Sequence, residues 1–373
     1  MKRIFPVLVA LICAGSAHAQ PHYTVTLVPT SIYNVEAINI FGEVTGETRD
    51  PSNPPIGKYL PPSGVAAVCL NGKVTYLTTP ATGFPNVSFG EAINDFGEVV
   101  GEYRDPGVTG GFFAFLYKPG QPLQILEGTQ AIDPTFAINN LGHIALSLPV
   151  TSPYSVQNAA IYRNGVVTYL GNLNSGNSSE ANGINDRDQV VGRAVVQVNG
   201  IYHAFLWQDG RMTDLGTLDG PTGNSGAAAI NDLGQIVGYS TDSSLPLLEG
   251  QVVIVPVLWQ NGVMYNLGLL PAAPGASGPG AAQFGNATAI NNLGEIIGYS
   301  YSFSYQNGQT ASCFLYVGGK MYDLNSLLPP NSGYTIMDVL GINDLGVILA
   351  LTSAYQTVLL TPLPWFQGLA VKH

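Results

Sequence analysis

Charge is scarce in this sequence. Asp, Glu, Lys and Arg make up 10% of the 373 residues, and 13 basic residues face 24 acidic ones, for a formal net charge of −11. A chain so poor in cations repels phosphate backbones and anionic lipid, which excludes nucleic acid and membrane surfaces as partners. Cysteine is nearly missing: Cys13, Cys69 and Cys313 cannot build a disulfide framework. The five histidines have no metal-ligand spacing. No apolar run has the length of a transmembrane helix. The sequence also lacks a Gly-x-Ser-x-Gly elbow, a phosphate-binding loop and a dinucleotide fingerprint, so no catalytic residue, cofactor or metal is expected from its motifs.

What is present begins with an address. Lys2 and Arg3, an apolar run from Ile4 to Ala14, and Ala17-His18-Ala19 form the pattern of a secretory signal peptide over residues 1–19. The mature chain is therefore expected to be exported, to the periplasm or the extracellular medium. Its 45 glycines and 26 prolines, with abundant Tyr, Val and Thr, suit short strands and turns rather than helices.

One stretch recurs seven times. Ala229-Ile230-Asn231-Asp232-Leu233-Gly234 has counterparts whose anchor asparagines are Asn39, Asn94, Asn139, Asn185, Asn291 and Asn343. Spacings of 55, 45, 46, 46, 60 and 52 residues mark a repeat protein. The fourth unit shows the grammar most plainly. Ala181 to Asn185 reads as strand a, Gln189 to Val196 as strand b, Ile201 to Trp207 as strand c and Met212 to Leu215 as strand d. An Asn-Asx-x-Gly turn joins a to b, and hairpin dipeptides such as Asp209-Gly210 and Asn261-Gly262 join c to d. In the fourth unit Asp188 replaces the turn glycine, a position where Asp tolerates positive φ.

The seventh unit has strands b (Val347 to Thr352) and c (Gln356 to Thr361) but no strand d, and Tyr23 to Val28 offers one at the other end of the chain. A solenoid keeps its ends apart, whereas a propeller joins them in one blade and tolerates loop insertions. The expected fold is all-β: a seven-bladed β-propeller of four-stranded antiparallel blades, closed by the N-terminal strand. It would occupy residues 20–364 as a single domain, with a short tail at 365–373. A small residue precedes each anchor Ile, as an innermost strand crowded around an axis requires.

His203-Ala204-Phe205-Leu206-Trp207, followed by Asp209-Gly210 and by Asp214-Leu215-Gly216-Thr217-Leu218, combines with the Ile-Asn-Asp-x-Gly anchor. Together they resemble the HAF family of bacterial extracellular repeat proteins over nearly the whole mature chain. The resemblance implies an exported repeat protein with a propeller fold. It implies no reaction and no catalytic residues.

Turns a–b and c–d fall on one face, where they are short. The b–c and d–a links fall on the other and vary most in length, as in Arg49 to Ser63, Thr241 to Gly250 and Leu269 to Gly285. Insertions gathered on one face of a repeat protein point to its binding face. A charged pattern is duplicated there: Glu36, Glu47, Arg49 and Asp50 in the first unit, and Glu91, Glu102, Arg104 and Asp105 in the second. Such groups can hydrogen-bond sugar hydroxyls, act as paired acid and base, or merely pair with one another between blades. Tyr59, Phe84, Phe112, Tyr154, Phe303, Tyr305 and Tyr334 could stack on a ligand or pack between blades, whereas Trp207, Trp259, Tyr117, Tyr162 and Tyr316 share one core position. The expectation is a monomeric, non-catalytic binding or scaffolding propeller whose ligand is a glycan or an extracellular or surface protein. The alternative is a glycosidase or lyase using channel-mouth carboxylates.

Overall fold

The computed structural model describes residues 21–49, 64–77, 87–104, 112–129, 135–150, 156–174, 176–197, 200–245, 253–271, 282–304 and 308–364. The expected signal peptide, most of the long b–c and d–a links, and the tail therefore lie outside the described residues. So do Asp50, Tyr59, Phe84, Asp105, Tyr154 and Tyr305.

The fold is all-β, made of four-stranded antiparallel blades, each a meander in chain order in units one to six. The fourth unit forms Ser179–Ile184, Val190–Gln197, Ile201–Gln208 and Arg211–Asp214, within two residues of the strands expected from its pattern. Units one to four are separate four-stranded sheets. Units five and six form one eight-stranded sheet, because Ile254 and Phe284 make a single parallel bridge between two meanders. Two short 3₁₀ turns, Gly220–Thr222 and Leu324–Leu327, were not foreshadowed by the repeat pattern.

In the seventh unit, Ile336–Ile342, Ile348–Thr352 and Thr357–Pro362 pair in order, and Tyr23–Leu27 lies antiparallel to Thr357–Pro362 with Thr24 opposite Thr361. Tyr23 is buried in one cluster with Ile336, Ile348, Val358 and Leu360. Val28 and Ile32 share the next cluster with Leu349. The two ends of the described chain are thus packed into common cores.

Each unit buries the same position on strand c. Ala67, Phe115, Ala160, Phe205, Val257, Phe314 and Val358 are all fully buried. Burying such side chains contributes roughly 1.5–3 kcal/mol each for the larger ones. Phe115, Phe205 and Phe314 stand opposite Gly101, Gly192 and Gly298 on strand b. These glycines also face a bulge in strand a: a Cβ on Gly192 or Gly101 would collide with the carbonyl of Glu180 or Phe89. The glycine of the repeat is required twice, by the bulge and by the ring. The His-Ala-Phe tripeptide is accordingly core: Ala204 and Phe205 are fully buried, and His203 Nδ1 pairs with Asp214 at 2.8 Å. Trp207, Trp259 and Tyr162 are buried as expected, and Tyr117 and Tyr316 pack against the clusters beside them. Cys69 and Cys313 are free, buried and in different clusters.

Candidate functional site

Each anchor asparagine is saturated. Asn231 Oδ1 accepts the backbone N–H groups of Leu233 and Gln235 at 3.1 and 3.0 Å. Its amide donates to Gln235 Oε1 at 2.7 Å and to the carbonyl of Asn291, in the next unit, at 3.0 Å. The same inter-unit bond runs from Asn39 to Asn94, Asn94 to Asn139, Asn139 to Asn185, Asn185 to Asn231 and Asn291 to Asn343. Asn343 then donates to the carbonyl of Asn39 at 2.9 Å. The turn glycine sits at positive φ, +79° in Gly234, and Asp188 takes that place at +58°.

The residue after the anchor continues the pattern in units two to seven. Asp95, Asn140, Asp186, Asp232, Asn292 and Asp344 each accept, through Oδ1, the backbone N–H of the preceding unit at 2.7–3.0 Å. Asn140 also donates to Asp95 and Asp186, and Asn292 to Asp232 and Asp344. Asp186 and Asp232 have no such bridge between them. Burial, opposed by the Asn140 bonds but reinforced by the charges of Asp232 and Asp95, raises the Asp186 carboxyl above its ordinary range. The turns enclose a cavity of about 180 Å³ lined by the Ile and anchor Asn of every unit and by the Asx of units two to seven, with Ile40 in its place in unit one.

The opposite end of the a–b ladders differs. Residues five before and eight after the anchor face each other there: Phe89 and Glu102, Glu180 and Arg193, Gly226 and Tyr239, Asn286 and Tyr299, Asp338 and Leu351. Glu36 and Glu91 lie within the strand-a register shifts of units one and two. Burial, then the charges of Glu36 and Glu47, pushes the Glu91 carboxyl up to about 7. Glu36 is exposed at its tip yet partly buried by the strands around it. This desolvation, then the charge of Asp338, raises its carboxyl too. Glu47 is buried, and burial raises it despite a 2.7 Å hydrogen bond from Asn34 Nδ2. Gly64 leaves room for that carboxylate, since a Cβ there would overlap Glu47 Oε2.

The structure thus brings together three of the duplicated acids, Glu36, Glu47 and Glu91, and joins to them Asp338 from the seventh unit. Tyr301 extends the group: its ring stacks on Phe284 at 4.8 Å and meets Tyr299 edge-on at 4.7 Å. Burial, then Tyr299 and Asp338, raises its hydroxyl. Glu102 is buried opposite Phe89 and Ala114. Arg104 is exposed at the end of its strand, and Arg49 ends the corresponding strand of unit one. Phe112 packs on Phe89 at 6.1 Å, and Tyr334 packs against the seventh-unit core.

Across the mouth, Arg193 binds Glu180 at 2.8 Å and lies 5.0 Å over the Tyr202 ring. Burial would lower this guanidinium, but the Glu180 contact and then Tyr239 outweigh it and hold the proton more firmly than usual. Asp338, Arg193 and Tyr301 are not duplicated between neighbouring units, and Tyr299, which matches Tyr239 of unit five, carries no charge to draw attention to it. Aligning all seven units on the anchor would have put Asp338 in register with Asn34, Glu180 and Asn286.

Among the described residues, no group of three or more His, Cys, Asp or Glu side chains is placed to hold a metal ion, and no helix is long and apolar enough to cross a membrane. No family model matches the chain, and no curated protein matches it. Solved structures to which it is similar include the WD40 β-propeller domain of Doa1, at 12% identity over 91% of this chain and 96% of that one, with a TM-score of 0.44. A putative gluconolactonase is similar at 9% identity over 91% and 92%, with a TM-score of 0.41. A mutant Aleuria aurantia lectin in complex with alpha-methyl-L-fucoside is similar at 13% identity over 73% and 88%, with a TM-score of 0.33.

Proposed function

We propose that this chain is an exported, non-catalytic binding or scaffolding protein of the HAF-repeat kind. It is a closed seven-bladed propeller over residues 20–364, following a signal peptide at 1–19. Pairing of Tyr23–Leu27 with Thr357–Pro362 and the bond from Asn343 back to Asn39 support closure. The ligand is a glycan or an extracellular protein, held at the mouth on the face of the b–c and d–a links.

The carrying observation is the side-chain group spanning units six, seven, one and two: Tyr301, Asp338, Glu36 and Glu91. Carboxylates that share a mouth with stacked aromatic rings offer hydrogen bonds to hydroxyls and flat faces to sugar rings. The polar groups of the anchor turns, by contrast, are largely occupied by one another. A glycan array with the full chain tests the reading. Tyr301→Ala and Glu36→Gln should each weaken any hit by about tenfold while the circular-dichroism spectrum stays that of the folded parent. An array with no hit, or variants that bind like the parent, would sink it.

One observation favours a second reading. Glu91, pushed up to about 7 beside Glu36 and Glu47, has the raised carboxyl that a general acid needs. A polysaccharide-acting enzyme would release new reducing ends or unsaturated products from a bound glycan and lose that activity in Glu91→Gln. Binding with no product removes this alternative.

A further inference from the structure

The anchor-turn face carries a feature that neither reading uses. The third residue of the turn is Phe41, Phe96, Leu141, Leu233, Leu293 or Leu345 in six units, and these side chains are 58–68% exposed. Arg187 holds the position in unit four and is also exposed. The anchors beneath them are hydrogen-bonded from unit to unit, so the six apolar side chains stand at one level around the cavity. Scattered exposed leucines need no explanation, but a large apolar residue repeated at one register on a single face marks a contact surface.

Charge selects the occupant. Asp95, Asp186, Asp232 and Asp344 line the cavity that the ring surrounds. A second copy of this chain laid face to face would set these carboxylates against their equivalents. A bilayer pressed on the ring would bury carboxylates that are hydrogen-bonded only by neutral amides, at a cost of several kcal/mol for each charge left without a counter-charge. A cationic side chain entering the cavity would satisfy them, and the ring would cover apolar groups around it.

We infer that the anchor-turn face is a protein-docking surface whose partner presents a lysine or arginine framed by apolar side chains, the cation entering the aspartate-lined mouth. This surface is at the opposite end of the blades from the proposed ligand mouth and stands independently of it.

The test is calorimetric titration of the full chain with an amidated peptide carrying one arginine between two pairs of leucines. A peptide with glutamate in place of the arginine is the control. The arginine peptide should bind and the control should not. Asp232→Asn should weaken binding about tenfold; it keeps the Oδ1 acceptor and copies the Asn of units three and six. Leu233→Asp combined with Leu293→Asp should abolish binding while melting stays unchanged, since both positions are exposed. Failure of both peptides to bind, equal binding of the two, or leucine variants that bind like the parent would overturn the proposal. So would two competing occupants: self-association abolished by the leucine changes, or leucine-dependent co-sedimentation with phosphatidylcholine–phosphatidylglycerol vesicles.

Discussion

At the scale of single residues, the anchor asparagine and the mouth glutamates are opposites. The asparagine spends every donor and acceptor on the turn and on the next unit, whereas Glu91 is held where its charge is unwelcome. The duplicated acids were legible because they recur at fixed offsets from the anchor in units one and two. Their environment was not, because the raised Glu91 carboxyl depends on burial and on Glu36 and Glu47 from the neighbouring unit. Among the described residues, Glu47 accepts a hydrogen bond from Asn34.

A pH dependence follows from Glu91. Its folded carboxyl titrates near 7, above its ordinary 4.5, so between these values the folded chain keeps a proton that the unfolded chain has released. The stability this contributes is complete below 4.5 and lost as pH rises through 7. Glu91→Gln should remove this loss and be more stable than the parent at pH 8, by on the order of 2 kcal/mol. Urea unfolding at pH 5 and pH 8 reads the difference; equal stability of parent and variant at pH 8 would contradict it.

At the scale of strands and turns, two departures from the repeat compensate each other. Unit three has His143 where most other units carry Glu or Gln, so Asn139 lacks that acceptor within its own turn. Unit four has Asp188 in place of glycine, and its carboxylate accepts from Asn139 Nδ2 at 2.9 Å and contacts His143 Nδ1 at 2.8 Å and Arg163 at 3.3 Å. The sequence reading singled out Asp188, but only the strand arrangement shows that it touches His143. Asp188→Gly relieves the positive φ yet strips three partners, and should cost about 1–3 kcal/mol. His143→Glu alone sets two carboxylates together and should also destabilise. The double variant restores the ordinary grammar. A double-mutant cycle by urea unfolding should therefore show the pair less destabilised than the sum of the singles by about 1 kcal/mol or more. Additive losses would mean that the two positions are uncoupled.

At the scale of the whole molecule, most of the strand order was readable because period, turn dipeptides and small residues before each anchor all recur. Tertiary circumstances were not: the parallel bridge at Ile254 and Phe284, the two 3₁₀ turns, and the convergence of units six, seven, one and two on one mouth. That convergence depends on the chain ends meeting. The bond from Asn343 to the Asn39 carbonyl sets the strands of Glu36 and Asp338 side by side, and the pairing of Tyr23–Leu27 with Thr357–Pro362 joins the chain ends beside them.

An engineered disulfide tests this meeting directly. Thr24 and Thr361 face each other across the terminal strand pair, and Thr24 Oγ1 donates to the Thr361 carbonyl at 3.3 Å in an exposed position. Burial pushes the Cys313 thiol up to about 12 and raises that of Cys69, so neither competes for oxidation. Thr24→Cys combined with Thr361→Cys should oxidise to an intramolecular disulfide in nearly every chain, seen as a compact species on a non-reducing gel, and should raise the melting temperature. Persistence of free thiols at both positions, or cross-linking only between chains, would contradict closure of the ring.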